Sequence, residues 1–354
     1  MTPHPTVSVI MSAYNGSNLI GETIDSLLAQ TYTDFELVVV DDASTDNTLA
    51  MLRAIDDPRV RVIASEQNGG PIAARNRAFE HARGRYIAGL DQDDLCHPER
   101  LKRQVAYMDA HPDVVLAATA VSILQDDGRV EDDYAAPAIT SPALIEWMML
   151  FHNPLTWSSV MLRADAARRM DVFQRHEILY AEDFDLYHRM ARLGTVARVD
   201  MPLLTYRRHG GGVSRQFTDR MTASATAVLA EAYQPIFGVE AHAAASKAIR
   251  QLGECEPAAN AAELAQLARI MERVHCHFVG VHKPSDADLA LILPEYSRLW
   301  WRVAEGVVRR GKASLTGALS ARPEGTRLRR SSPARLMMSG LIGGGRAIRA
   351  SVSR

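Results

Sequence analysis

Phe35-Glu36-Leu37-Val38-Val39-Val40-Asp41-Asp42 is an almost continuous apolar run that stops abruptly on two carboxylates. A run of this kind is the pattern of a strand buried on both faces, as in a parallel sheet covered by helices on either side. Before it, Val7-Ser8-Val9-Ile10-Met11 is another β-rich run, followed by Leu19, Ile20, Ile24, Leu27 and Leu28 at helical spacing over 19–29. After it, Ser44-Thr45-Asp46 can cap a helix over 48–55. The alternation continues with strands over 59–64, 85–90 and 114–123 and helices over 72–82 and 98–111. Strands alternating with helices of this length predict βαβ units, hence an α/β fold with a mostly parallel sheet and helices on both faces.

From position 141 the order loosens. A helix is expected over 141–151, a strand over 158–162, a helix over 183–193, and short strands over 196–199 and 203–207. Beyond 216 the pattern is helical, over 221–233, 261–278 and 296–308, and 311–330 is rich in Gly, Ser and Arg, as linkers are. The expected organisation is therefore an α/β domain over 1–215, a helical extension over 216–310 and a tail over 311–354.

With 354 residues, 47% hydrophobic and 23% charged, the chain can bury a large core, which excludes disorder as its main state. Cys96, Cys255 and Cys276 share no CxxC spacing, so they read as ordinary buried thiols of a reducing compartment. No basic segment followed by an apolar one opens the sequence, and no run of about 18 apolar residues occurs, which argues against secretion and membrane spanning and for a cytoplasmic protein. The net charge of −2 hides an asymmetry: 302–354 holds 12 Lys and Arg against 2 acids, leaving 28 bases and 40 acids before it. An acidic body with a basic arm suits an anionic surface. The tail mixes Arg327, Arg329 and Arg330 with Leu336, Met337, Leu341 and Ile342, which fits the headgroup region of a membrane; Gly343-Gly344-Gly345 fits a merely solubilising tail. With no aromatic residue after Trp301, nucleic acid is not an expected partner.

Ligands of an open α/β sheet bind at the carboxyl ends of its strands. Those ends carry Ser12-Ala13-Tyr14-Asn15, Asp41-Asp42 and Asp91-Gln92-Asp93-Asp94. Three carboxylates within four residues repel one another unless a cation sits among them, and Mg²⁺ or Mn²⁺, which prefer oxygen ligands and donor phosphates, are the obvious partners. The alternative is a solvated acidic turn. Asp42 can accept hydrogen bonds from a base or ribose, Tyr14 can stack on a base, and Ser12 and Asn15 offer donors. Asn68-Gly69-Gly70-Pro71 and Arg75 precede and open a helix, where free N–H groups and the guanidinium could face a diphosphate. No GxGxxG or GxxxxGK[ST] occurs, so dinucleotide and P-loop readings lack their fingerprints. Glu182-Asp183 stands at a helix start and reads either as a cap or as a general base.

Taken in order, Val7-Ser8-Val9-Ile10 through Tyr14-Asn15, Ser26-Leu27-Leu28-Ala29-Gln30-Thr31, Asp41-Asp42-Ala43-Ser44-Thr45-Asp46, Asn68-Gly69-Gly70, Ala74-Arg75-Asn76, Leu90-Asp91-Gln92-Asp93-Asp94 and Glu182-Asp183 resemble the motif set of the family 2 glycosyltransferases of GT-A fold, over roughly 6–214. The resemblance implies an inverting transfer of a sugar from a nucleoside diphosphate donor to an acceptor hydroxyl on a glycan or lipid-linked glycan, assisted by Mn²⁺ or Mg²⁺. It places Ser12, Tyr14, Asn15 and Asp42 at nucleoside-binding positions, Asp91 and Asp93 on the DxD motif, and Asp183, with Glu182 as nearest competitor, at the catalytic base. Tyr206-Arg207-Arg208-His209 resembles the segment that closes the donor site, where His209 meets the diphosphate or metal or is a plain loop histidine. Absence of QxxRW departs from the processive synthases and implies addition of single sugars. Two other classes remain open: a non-catalytic nucleotide-sugar-binding or scaffold protein of the same fold, and a nucleotidyltransferase, although Ser12 to Gly16 holds no basic residue. Donor and acceptor specificity is expected in 126–163.

Overall fold

The computed structural model describes residues 4–132, 136–209, 217–254, 256–327 and 338–339. Cys255, the end of the family-like segment at 210–214 and residues 328–337 and 340–354 of the basic tail, with most of its expected membrane contact, lie outside the described residues. The chain divides into two compact units, Met1–Pro142 with Pro154–Ser224, and Ala143–Asn153 with Ala225–Arg354.

The first unit is built on one sheet, with nine strands among the described residues, in the order β3-β2-β1-β4-β8-β6-β9-β5, β7 pairing β6. Its parallel half holds β1 (Val7–Ala13), β2 (Phe35–Asp41), β3 (Val60–Ala64) and β4 (Tyr86–Gly89). All seven residues of β2 are buried, as its apolar run requires. The one charge inside that run, Glu36, accepts from Ser8 Oγ at 2.7 Å and pairs with Arg83 at 2.7 Å and Arg61 at 3.1 Å. Burial pushes the Glu36 carboxyl up, but these donors win and leave it below its ordinary value. Helices α1 (Ile20–Leu28), α2 (Thr48–Arg53), α3 (Gly70–His81) and α4 (Arg100–Ala110) follow the strands. Ile24, Leu27, Leu101 and Met108 pack with Val9, Met11, Leu37 and Val39 in one buried cluster; each such side chain contributes about 1.5–3 kcal/mol on burial.

The sheet reverses at β8 (Met161–Arg163), antiparallel to both β4 and β6 (Val114–Leu124), and β9 (Thr195–Arg207) then runs parallel to β6. Two further strands escape the periodicity because they are short: β5 (Leu95–Cys96), antiparallel to β9, and β7 (Val130–Asp132). Three local expectations need correction. The two strands expected over 196–199 and 203–207 are one strand, because register shifts opposite Pro202 absorb the irregularity. The strand expected from 158 begins only at Met161, after a tight turn at Trp157–Ser159. Helix α7 (Glu182–Ala191) starts one residue early and follows α6 (Ala164–Ala167).

The second unit takes in most of α5 (Pro142–Met149) and the helices α8 (Thr218–Phe237), which enters it from the first unit, α9 (Ala241–Ala248), α10 (Ala261–His282), α11 (Asp286–Arg309) and α12 (Leu315–Ser320). α8 and α11 run through Pro235 and Pro294, where sequence periodicity breaks off. A proline inside a helix costs about 3 kcal/mol. In α11, burial of Ile292, Tyr296, Leu299 and Trp300 offsets it. The segment read as a linker contains α12, capped by the Ser314 hydroxyl, which accepts from Gly317 N. Cys96 is buried as expected, whereas Cys276 is exposed, since the core-facing residues of α10 include Val274 and Phe278.

Gly89, the last residue of β4, lies against the turn at Trp157: a Cβ there would lie 2.7 Å from both the indole and the Trp157 carbonyl oxygen. Gly89→Ala should therefore cost about 1–3 kcal/mol of stability. Urea unfolding checks this, and an unchanged midpoint contradicts it.

Candidate functional site

Strand register gathers the chemistry. Ala13 lies opposite Asp41 and Ile10 opposite Gly89, so the loops after β1, β2 and β4 leave the sheet side by side.

In the β1 loop, Ser12 is half-buried and Tyr14 is 44% exposed, with its ring free to stack. Asn15 sits at φ +48°, a region asparagine tolerates. Its N–H donates to Ser44 Oγ at 3.1 Å and its Oδ1 accepts from Thr45 N–H at 2.8 Å, which ties the β1 and β2 loops together. Gln92, which sequence reasoning passed over as the variable residue of DxD, clasps the Tyr14 backbone at both ends: Oε1 accepts from Tyr14 N–H at 3.0 Å and Nε2 donates to Tyr14 O at 3.1 Å. A Cβ at Gly16 would overlap the Gln92 carboxamide, so this loop needs glycine there.

Asp42 is buried, with its Oδ1 accepting from Gly69 N–H at 3.0 Å and Oδ2 from Gly70 N–H at 2.8 Å. The Gly69 and Gly70 amides, expected to face a diphosphate, are therefore directed at Asp42. The carboxylate forms one wall of a cleft of about 360 Å³ with Ser65, Glu66, Ala74 and Arg77. Its neighbour Asp41 accepts from Ser44 N–H at 3.1 Å through Oδ2, while its buried Oδ1 has no hydrogen-bond partner.

The acidic turn after β4 is gripped from the end of β9. Arg207 N–H donates to Asp94 Oδ1 at 3.0 Å, Arg207 Nε donates to Asp93 O at 2.9 Å, and His209 Nε2 lies 2.8 Å from Asp93 Oδ2. Burial and the Asp91 charge push the Asp93 carboxyl up, and burial with Asp93 and Asp91 pushes Asp94 well up. The carboxylate oxygens of Asp91 and Asp93 and the His209 imidazole nitrogen are ligand types whose chemistry fits Mn²⁺ or Mg²⁺. Among the described residues no three such side chains converge as a ready-made cage.

Arg75 was expected to face a diphosphate. Its guanidinium bridges two carboxylates far apart in sequence, Asp91 through NH2 at 2.6 Å and Glu182 through NH1 at 2.6 Å, and stacks 5.3 Å from the Trp157 ring centroid. Burial opposes its charge, but Asp91, Glu182 and Asp183 hold it firmly protonated. Asp91 is fixed further by its N–H, which donates to buried Ser158 Oγ at 3.0 Å. Glu182 is buried, while Asp183, at the same helix start, is half-buried and accepts from Phe184 N–H at 2.7 Å. The acids Glu182, Asp183 and Asp185 in the first turn of α7 complement its dipole. Tyr187, one turn on, buries a hydroxyl with no hydrogen-bond partner, a polar group that the periodicity of α7 showed only as core. Sequence spacing gave no sign of the Arg75 bridge, which joins residues 107 positions apart.

Arg75→Met should strand two carboxylates and lower stability by about 3–5 kcal/mol, the usual effect of removing one partner from a buried ion pair. Adding Glu182→Gln should restore part of the loss. Denaturant unfolding of both variants measures it, and an unperturbed single variant contradicts the bridge.

The profile of Glycosyl transferase family 2 matches residues 8–174. The Escherichia coli UDP-Glc:alpha-D-GlcNAc-diphosphoundecaprenol beta-1,3-glucosyltransferase WfaP is 31% identical over 211 residues, 59% of this chain and 79% of that protein. Among solved structures, S. aureus TarS 1–349 in complex with UDP-GlcNAc superposes with a TM-score of 0.54 at 19% identity, covering 98% of this chain and 92% of that one. The mannosyltransferase PcManGT from Pyrobaculum calidifontis, in complex with GDP-Man and Mn²⁺, gives 0.53 at 19% identity over 98% and 87%. At that identity the structures establish the shared fold, GT-A, and the sequence relationship carries the rest: the chain belongs to glycosyltransferase family 2.

Proposed function

We propose that this chain is an inverting glycosyltransferase that moves one sugar from a nucleoside diphosphate donor to an acceptor hydroxyl, with Asp183 as general base. The observation that carries the assignment is the unequal fate of the two acids at the start of α7: Glu182 is buried and ion-paired to Arg75, whereas Asp183 is half-buried. A base must reach the acceptor hydroxyl to take its proton as the new bond forms. Tyr14 and Asp42 flank the nucleoside, Ser12 lies beneath it on β1, and Asn15 shapes the loop. The roles of Asp91, Asp93 and His209 are to hold the donor diphosphate end, with Arg75 fixing Asp91 from behind. Asp93, His209 and Asp91 would hold Mn²⁺ or Mg²⁺, which offsets the negative charge that develops on the leaving diphosphate; the Mn²⁺ in the PcManGT complex supports this choice.

A UDP-sugar donor and a lipid-linked acceptor are supported by the names of TarS and WfaP, and the role fits synthesis of a cell-surface polysaccharide or glycolipid. Among the described residues no helix is long and apolar enough to cross a membrane. The basic tail would bring the enzyme to a lipid-linked acceptor at the inner face of the cytoplasmic membrane, each Lys or Arg there contributing roughly 1 kcal/mol on an anionic surface. Full-length protein should then pellet with anionic vesicles and release at high salt, and a chain ending at Lys312 should not; equal pelleting of both removes the tail from the account.

Asp183→Asn keeps shape and loses basicity, so transfer should fall by about two to four powers of ten while donor binding persists. Near-normal transfer by Asp183→Asn with Glu182→Gln inactive would move the base by one residue. Asp93→Ala, or excess chelator on the wild type, should abolish transfer without unfolding the protein; full activity in either case contradicts the metal assignment.

A further inference from the structure

Tyr180 is a bulky aromatic residue held at φ +70°, in the left-handed region, three residues before Asp183. A non-glycine residue in that region is strained, and strain of this kind collects at functional sites, where the surroundings over-determine it. Here the surroundings do so twice. The Ser224 hydroxyl donates to the carbonyl of Leu179 at 2.8 Å, which fixes the loop from one side. The Tyr180 ring stacks on Phe217, with ring centroids 4.6 Å apart and planes 18° from parallel. Phe217 is itself anchored by the start of α8, since its carbonyl accepts from Met221 N–H at 3.0 Å. Yet Phe217 remains 41% exposed and Tyr180 is only half-buried, so this pair of rings is not core packing.

We propose that the Tyr180–Phe217 stack is the platform on which a pyranose ring of the acceptor lies. This inference rests on Asp183 as the base, because an acceptor hydroxyl has to come to that carboxylate. A pyranose presents a face of C–H groups made slightly positive by the ring and hydroxyl oxygens, and an aromatic face is the negative end of a quadrupole, so the two attract while hydroxyls at the sugar edge stay free to react. Both rings sit on backbone that is fixed before any ligand arrives, which keeps the entropy loss on binding small. In this arrangement the strained turn at Tyr180 serves two ends, presenting the ring and leading directly into the helix start that carries Asp183.

The test uses full-length protein with UDP and Mn²⁺ present, and methyl glycosides of glucose, galactose, mannose and N-acetylglucosamine as probes at millimolar concentration, read by saturation-transfer NMR. UDP binding is measured in parallel. Wild type and Tyr180→Phe should pass saturation to the ring C–H protons of at least one glycoside; Tyr180→Leu and Phe217→Ala should lose that signal and bind UDP as wild type does. Absence of any glycoside signal from wild type overturns the proposal, as do equal signals from the four proteins. Loss of both glycoside and UDP binding in Tyr180→Leu and Phe217→Ala also overturns it, because the stack would then be structural. Asp183→Asn should keep the glycoside signal, so a wrong base assignment would appear as full transfer by that variant, separately from the behaviour of the rings.

Discussion

The site depends on one buried cation. Arg75 reaches Asp91 on the loop that leaves the sheet and Glu182 at the head of α7, and no other ion pair among those described joins the acidic turn to that helix. Two carboxylates so placed would repel each other and the neighbouring Asp183; with the guanidinium between them they become a fixed frame. The Trp157 ring beneath the guanidinium and the Ser158 hydroxyl under Asp91 N–H complete it. Glu182, paired in this way, is the buried acid of the two, and Asp183 beside it is half-buried.

The other half of the cleft is organised by side chains that hold backbone. Gln92 fixes Tyr14 by two hydrogen bonds, Asp42 fixes Gly69 and Gly70 by two more, and Asn15 fixes the turn after β2. Each links two strand-end loops, so the loops share one geometry that the parallel register sets. The reversal of the sheet at β8 then lets β9 return along β6 and deliver Arg207 and His209 to the acidic turn.

The parallel half of the fold was legible because β1, β2 and β4 are buried on both faces and so carry runs that periodicity detects, β2 being the clearest case, while β3 at the sheet edge is only half-buried and shows as a β-rich run. The two-residue β5 and the three-residue β7 hold too few residues to show a period. Proline signalled an end to α8 and α11 that burial of aromatic side chains overrides. At the candidate site, sequence position singled out Asp42, Asp91 and Asp93 at strand ends and the pair Glu182-Asp183 at a helix start, because carboxylates at such places lie beside one another on one edge of the sheet or at the head of a helix. Their partners were hidden. A Gly-Gly pair before a helix looks the same whether its amides face a ligand or a side chain, and an arginine on α3 gives no hint that its partners lie 16 and 107 residues away. Those facts belong to tertiary geometry.

A carboxylate that deprotonates the acceptor from the face opposite the departing diphosphate leads to one stereochemical result, displacement with inversion at the anomeric carbon. The most direct measurement is therefore the anomeric proton coupling of the product, formed by the purified enzyme from a panel of α-linked UDP-sugars with Mn²⁺ and a GlcNAc-diphospholipid acceptor. The account predicts a β-linked product. An α-linked product, or no transfer from any sugar of the panel, would contradict it.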